Sequence, residues 1–212
     1  NILDNKVAIV TGAGRGIGRA VAEDLAAHGA KILVVDPGLS LDGNVENASL
    51  ADEVVEGINK AGGEAKANKL SVASFEAGEE IVKDAMNSFG RLDIVVTVAG
   101  ILRDRMIFNM TEAEWDAVLQ VHLYGAFNMV RNVAPHMIEG NYGRIVLFSS
   151  GSGLGASGQA NYAAAKEGMV GFTRAVSKEL QPHGIMINAV YPGGSTRMTD
   201  SIPQSTTDLR QT

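Results

Sequence analysis

Tyr162 and Lys166 stand four residues apart within 160–180, a stretch that reads as a helix, so both side chains fall on one helix face. A free tyrosine titrates near pH ~10, and a neighbouring ammonium favours its phenolate, which makes the residue a usable acid and base near neutrality. Ser149 and Ser150 follow a predicted strand over 144–148, at the edge where open α/β sheets take their ligands. A hydroxyl there can hold a substrate oxygen beside the tyrosine. A Tyr-x-x-x-Lys pair alone also fits a solvated helix face; the strand-end serines and a glycine-rich turn near the N-terminus narrow the reading to catalysis.

That turn runs Thr11-Gly12-Ala13-Gly14-Arg15-Gly16-Ile17-Gly18. Glycines at 12, 16 and 18 allow a tight turn, close approach of a phosphate to backbone N–H groups, and close packing of a helix on a strand. A G-x-G-x-x-G reading from Gly12 fails at Ile17, and no Gly-Lys-Ser/Thr follows to make a nucleotide-triphosphate loop. Asp36 ends the second predicted strand, 18 residues beyond Gly18. An acid at that place bonds both ribose hydroxyls of a dinucleotide and repels a 2′-phosphate. Arg15 pulls the other way, since a cation in the loop can pair with that phosphate. Short-range repulsion from Asp36 favours NAD over NADP as the cofactor.

These groups need a scaffold that alternates strand and helix. Short apolar, β-branched runs at 6–11, 32–35, 92–98, 144–148 and 185–190 read as buried strands, and 65–70 as a weaker one. Between them 19–28, 50–60, 75–89, 111–136 and 160–180 read as helices, with Gly29 and Gly62–Gly63 as stops and Thr111 with Glu114 as a capping box. The alternation predicts an α/β fold: one doubly wound parallel sheet with helices on both faces. After Tyr191-Pro192-Gly193 the pattern dissolves into polar residues.

Composition removes several function classes. The 212 residues include no cysteine, which excludes disulfides and thiolate chemistry and fits a reducing compartment such as the cytoplasm. Net charge is −6 with scattered basic residues, which argues against nucleic acid as a partner. No apolar run approaches the roughly 18 residues of a membrane span. No His/Asp/Glu cluster has metal-ligand spacing, so no metal is expected.

Taken in order, the Gly12/Gly16/Gly18 loop, the serines after strand five, Tyr162-x-x-x-Lys166 and Pro192-Gly193 resemble the short-chain dehydrogenases/reductases over nearly the whole chain. The resemblance implies a single Rossmann-type NAD(P)-binding domain across 1–212. It makes Tyr162 the general acid/base, has Lys166 lower its pKa and bind the nicotinamide ribose, and has Ser150 orient the carbonyl. Cofactor contacts are implied for Gly12, Arg15, Gly16, Ile17, Gly18, Asp36, Ser71, Val72, Ala99, Gly100, Tyr162, Lys166, Pro192, Gly193 and Thr196. The stretches 36–43, 100–105, 121–125, 158–162 and 195–199 resemble the subgroup of (3R)-hydroxyacyl-CoA dehydrogenase domains of peroxisomal multifunctional β-oxidation enzymes, and Gly158–Tyr162 is also similar to 3-oxoacyl-carrier-protein reductases. This implies a small-molecule substrate, an acyl-CoA or related thioester, in the cytoplasm or a peroxisome, with a steroid or cyclic ketone as the alternative. Arg103, Arg105 and Arg197 would meet the phosphate arm, unless the first two pair with Asp104, Glu112 or Glu114. Small residues on 111–136 and 160–180, two helices that the resembling family pairs across a two-fold axis, imply a homodimer or homotetramer. A rival reading is a catalytically silent cofactor-binding subunit.

The chain also departs from the family pattern. Thr97-Val98 replaces the usual Asn-Asn after strand four, and Thr97 is expected to supply part of the lost tie between strands. His122 occupies the place of the helix-four Asn, either as a proton-relay catalytic residue or as a structurally bonded core histidine. Ser71 replaces an adenine-side Asp. The family's spacing selects Ser149 as the catalytic serine, whereas counting along the strand selects Ser150. The family continues past Pro-Gly through a substrate-covering helix pair and a seventh strand, so this region is expected to be incomplete here.

Overall fold

The computed structural model describes residues 1–40, 42–44 and 46–193. Six strands, β1 (Val7–Thr11), β2 (Lys31–Val35), β3 (Glu64–Asn68), β4 (Ile94–Thr97), β5 (Gly143–Phe148) and β6 (Ile185–Val190), form one parallel sheet in the order β3-β2-β1-β4-β5-β6. Register aligns their carboxyl ends: Thr11 lies opposite both Val35 and Thr97, Val35 opposite Asn68, and Thr97 opposite Leu147. Strand order reverses at β1 and β4, which opens the crevice where such sheets bind ligands.

β1 is buried on both faces. Val7 and Ile9 join one core with α3 (Phe75–Phe89), α5 (Gly125–Glu139) and α6 (Ala160–Leu180). Ala8 and Val10 join the other, with α1 (Gly16–Ala27) and α2 (Leu50–Lys60). Successive side chains of a strand point to opposite faces, so an unbroken apolar run is what a sheet covered on both sides requires. β3, at the edge, packs the half-buried Ala65 and Ala67 against the second core and pairs Lys66 with Asp84 outside, which accounts for its weak apolar pattern.

Two expected boundaries move. The first helix starts at Gly16 rather than residue 19. The helix expected over 111–136 is instead α4 (Glu112–Leu119), a π turn (Gln120–Tyr124) and α5. Thr111 and Glu114 form the capping box. A π turn inserts an extra residue into the helical ladder without ending it, and side-chain periodicity does not register it. Here it carries His122 inward. Among the described residues, no helix is long and apolar enough to cross a membrane.

Candidate active site

The turn after β1 uses its glycines for different purposes. Gly12 has φ +65, and a Cβ there would lie 2.7 Å from the backbone of Ala99. A Cβ on Gly18 would lie 2.1 Å from the Gly12 carbonyl oxygen, so α1 packs on the turn only without one. Gly16, with φ +54, faces open space. Gly14, to which the sequence pattern assigned nothing, donates its N–H to Asp36 Oδ2 at 2.8 Å and leaves no room for a side chain against that carboxylate. No side chain caps α1, and its first turn holds no acid. Its leading N–H groups thus suit an anion.

A cavity of about 360 Å³ opens over this turn. The first turn lines it with Gly12, Arg15, Gly16, Ile17 and Gly18, and the end of β2 with Asp36. Ser71 and Val72 line it from beyond β3, Ala99 and Gly100 from beyond β4. Asp36 is nearly buried and accepts a second N–H, from Gly38, at Oδ1 (2.7 Å). Val72 is fixed by Asn128, which donates to its carbonyl at 2.8 Å, while the Ser71 hydroxyl accepts the Ala73 N–H. The residues present fit a dinucleotide: a cradle that Cβ atoms would fill, a helix N-terminus and an acid at the adjacent strand end.

The tie between β1 and the segment after β4 is made by Thr11, not Thr97. The Thr11 hydroxyl accepts the N–H groups of Val98 (3.2 Å) and Ala99 (3.3 Å). The Thr97 hydroxyl is buried without a partner. Strand register explains the correction, because Thr11 ends β1 directly beside the residues it holds.

The two serines after β5 part company. Ser149 continues the buried face of the strand, and its hydroxyl donates to the Lys166 carbonyl at 2.9 Å. Ser150 faces the other way. Its oxygen accepts the Ser152 N–H at 3.2 Å, and its hydroxyl bonds the Tyr162 side chain. Lys166, 4% exposed, donates to the Phe148 carbonyl, with its Nζ 5.4 Å from the Tyr162 ring centre. Ser150, Tyr162 and Lys166 therefore form one group; none of the three lines the cavity, and His122, packed against Gly100 of its wall and against Tyr162, connects the two.

The electrostatics differ from the sequence expectation. Burial raises the Tyr162 pKa above its ordinary value; the Ser150 hydroxyl opposes this and the Asp104 charge adds to it. Burial pulls Lys166 down to about 7. Desolvation disfavours the charged form of both groups, and it outweighs the attraction expected from their proximity. Tyr162 is thus a protonated phenol at neutral pH.

His122 packs edge-on to Tyr162, with ring centres 5.0 Å apart. Its Nε2 lies 2.8 Å from the Ile101 carbonyl oxygen and 3.2 Å from the Ile101 nitrogen. The shorter contact assigns the Nε2–H tautomer as donor to the carbonyl, which leaves Nδ1 buried with no partner. Burial, followed by the Lys166 charge, holds the imidazole neutral. A Cβ on Gly100 would stand 2.3 Å from the ring, so that glycine is needed for the histidine as well as for the cavity.

Several supporting residues escaped the sequence reading. Asn161, fully buried, donates to the carbonyls of Arg103 (3.0 Å) and Glu114 (3.1 Å) and accepts the Tyr162 N–H (2.8 Å). Gln159 donates to Asp104 Oδ2 at 2.8 Å, and the Arg105 N–H donates to the Gly158 carbonyl at 2.8 Å. The loop after β4 is thereby stitched to the start of α6, the segment that presents Tyr162. The Gly158–Tyr162 run was visible as a motif, but its partners in 103–105 were not. Arg105 pairs with Glu114 at 3.2 Å, the second of the two roles expected of it. Arg103 forms no ion pair with a described residue, and its Nη2 lies 3.8 Å from where a Gly43 Cβ would be. Pro192 and Gly193 lie exposed just past β6; Thr196 and Arg197 fall outside the described residues.

A family model described as short chain dehydrogenase matches residues 6–207. Peroxisomal multifunctional enzyme type 2 of Mus musculus is 44% identical over 200 residues, covering 94% of this chain and 27% of that protein. This chain thus spans about a quarter of that relative's length. The 3-oxoacyl-[acyl-carrier-protein] reductase of Synechocystis sp. is 40% identical over 202 residues, 94% of this chain and 78% of the reductase. The crystal structure of NAD⁺-bound xylitol dehydrogenase superposes with a TM-score of 0.85 at 30% identity, covering 93% of this chain and 74% of that one.

Proposed function

This chain belongs to the short-chain dehydrogenase family, a family of oxidoreductases that use a nicotinamide dinucleotide, and on that premise we propose that it interconverts a secondary alcohol and a ketone with NAD, acting on a 3-hydroxyacyl or 3-oxoacyl thioester. The observation that carries the reading is the Ser150–Tyr162–Lys166 group connected through His122 to a glycine-lined cavity closed by Asp36.

The dinucleotide, when bound, supplies or accepts the hydride. Gly12, Gly16 and Gly18 leave backbone N–H groups open to its phosphates, and Asp36 takes the ribose hydroxyls. That acid, repelling a 2′-phosphate, supports NAD as the cofactor. Ser150 and Tyr162 both face the substrate oxygen. In the reducing direction Tyr162 gives its proton to the carbonyl oxygen as negative charge develops there. That leaves a phenolate, which the Lys166 ammonium stabilises; in the oxidising direction the same phenolate takes the alcohol proton and returns to the phenol. Such proton transfer contributes roughly 10²–10⁴ in rate. His122 fixes the Ile101 backbone and the edge of the Tyr162 ring, which makes it a positioning residue in this reading.

One relative whose name refers to acyl chemistry, the 3-oxoacyl-[acyl-carrier-protein] reductase, supports the thioester, as does Arg103, which no described carboxylate pairs. A guanidinium there can bond a phosphate of a coenzyme A or carrier arm. We also take the protein to be a homodimer or homotetramer, joined through the exposed aromatic face where Phe127 stacks near Phe75 (6.2 Å) and Phe172 (6.5 Å). The test of the substrate is a difference. Acetoacetyl-CoA should show a much lower KM than ethyl acetoacetate, and Arg103→Ala should narrow the gap. Faster turnover of a steroid or cyclic ketone than of any thioester would defeat the substrate assignment and leave the oxidoreductase reading intact.

A further inference from the structure

Arg15 and Asp36 line the same cavity and make opposite demands on the cofactor. A guanidinium in the glycine turn attracts a 2′-phosphate, whereas the carboxylate at the end of β2 repels it. The structure shows what Arg15 is bonded to. Its Nη1 lies 2.9 Å from Glu46 Oε2.

Backbone bonds hold Glu46 in that position. Its N–H donates to the Gly38 carbonyl at 2.9 Å, and the Asn47 N–H donates to the same oxygen at 3.0 Å. Gly38, with φ +74, has no room for a Cβ, which would meet the Asn47 oxygen at 1.9 Å. The Gly38 N–H in turn donates to Asp36 Oδ1, and Gly14, next to Arg15, donates to Asp36 Oδ2. Asp36, Gly38, Glu46, Arg15 and Gly14 thus close a ring of contacts beside the cavity.

We propose that Glu46 is a cofactor-specificity residue: by pairing with Arg15 it withdraws the cation of the glycine turn from a 2′-phosphate and leaves Asp36 to decide the choice for NAD. A 2′-phosphorylated dinucleotide would have to break the Arg15–Glu46 pair and accept two carboxylates nearby. Other charged groups around this ring include Asp42, which bonds Ser40 and Asn44 within the same loop, Glu53, which accepts from Asn47 and Ser49, and Arg103, whose guanidinium reaches the Gly43 side. The Glu46 side chain is 50% exposed, so the pair adds little to stability and its removal leaves the fold intact.

The inference rests on the cavity being the dinucleotide site, and binding separates the two. NADH and NADPH are titrated by fluorescence into the unaltered protein, Glu46→Gln, Arg15→Ala and the double variant, at low and high salt. Glu46→Gln should tighten NADPH about fivefold, the scale of one exposed ion pair, and change NADH by less than twofold. The gain should shrink at high salt and vanish in the Arg15→Ala background. An unchanged NADPH affinity in Glu46→Gln would overturn the inference. So would an equal gain without Arg15, since Glu46 would then act by repulsion alone. NADH failing to bind the unaltered protein would overturn the cavity's assignment first, and this inference with it.

Discussion

Replacing Lys166 with Met should make the ligand-free protein more stable while abolishing turnover. The side chain is 4% exposed, and burial lowers its pKa from 10.5 to about 7. At about 1.4 kcal/mol per tenfold change in proton affinity, keeping the ammonium in that site costs about 5 kcal/mol below pH 7. Met fills a similar volume without charge, but leaves the Phe148 carbonyl without its donor, a loss of about 1–3 kcal/mol. The net gain at pH 7 is about 2–4 kcal/mol, or about 5–10 °C in Tm for a chain of this size. The pH dependence carries the sharper signature. Between pH 7 and 10.5 the unfolded lysine is charged and the folded one is neutral, so the unfolded state binds the extra proton and the unaltered protein gains stability as pH rises. The advantage of Lys166→Met should therefore be greatest at or below pH 7 and shrink by about 1.4 kcal/mol per pH unit above it. Urea unfolding at a series of pH values measures it. A variant less stable than the parent at pH 7, or a difference that ignores pH, would refute the reasoning.

Two other substitutions test the supports of the site. Asn161→Ala removes three buried hydrogen bonds and should destabilise the fold by about 3 kcal/mol and lower kcat by more than it raises KM, because Tyr162 loses its anchor; unfolding curves and steady-state kinetics read both. Phe127→Glu places a charge on the exposed aromatic face and should give a folded monomer by light scattering, where the parent should give a dimer or tetramer.

What the sequence could show was local. The central strands read as unbroken apolar runs because β1 and its neighbours are covered on both faces, and their alternation with helices was enough to derive a parallel sheet, though not its strand order. Gly12, Gly16, Gly18 and Asp36 were legible as a pattern because glycine spacing in one turn and an acid at a strand end can be read from short stretches of chain, and all four line the cavity. That Ser150 and not Ser149 meets Tyr162 follows from the alternation of β5, which continues past Phe148. The illegible parts depend on distant residues meeting. Thr11 holds the segment after β4, Asn161 holds the loop at Arg103 and the helix at Glu114, and Arg15 meets Glu46 across a loop. No spacing rule encodes such pairs. The π turn escaped because helical periodicity on either side of His122 hides one inserted residue. The opposite shifts of Tyr162 and Lys166 escaped because burial, not proximity, dominates them.

The most direct test of the account is a comparison of Tyr162→Phe with the unaltered protein in two measurements on the same samples: NADH affinity by fluorescence titration, and NADH oxidation on mixing with acetoacetyl-CoA. The account predicts matching affinities and a loss of roughly 10²–10⁴ in kcat for the variant. Near-normal turnover without the phenol would contradict it and place the chemistry elsewhere in the molecule.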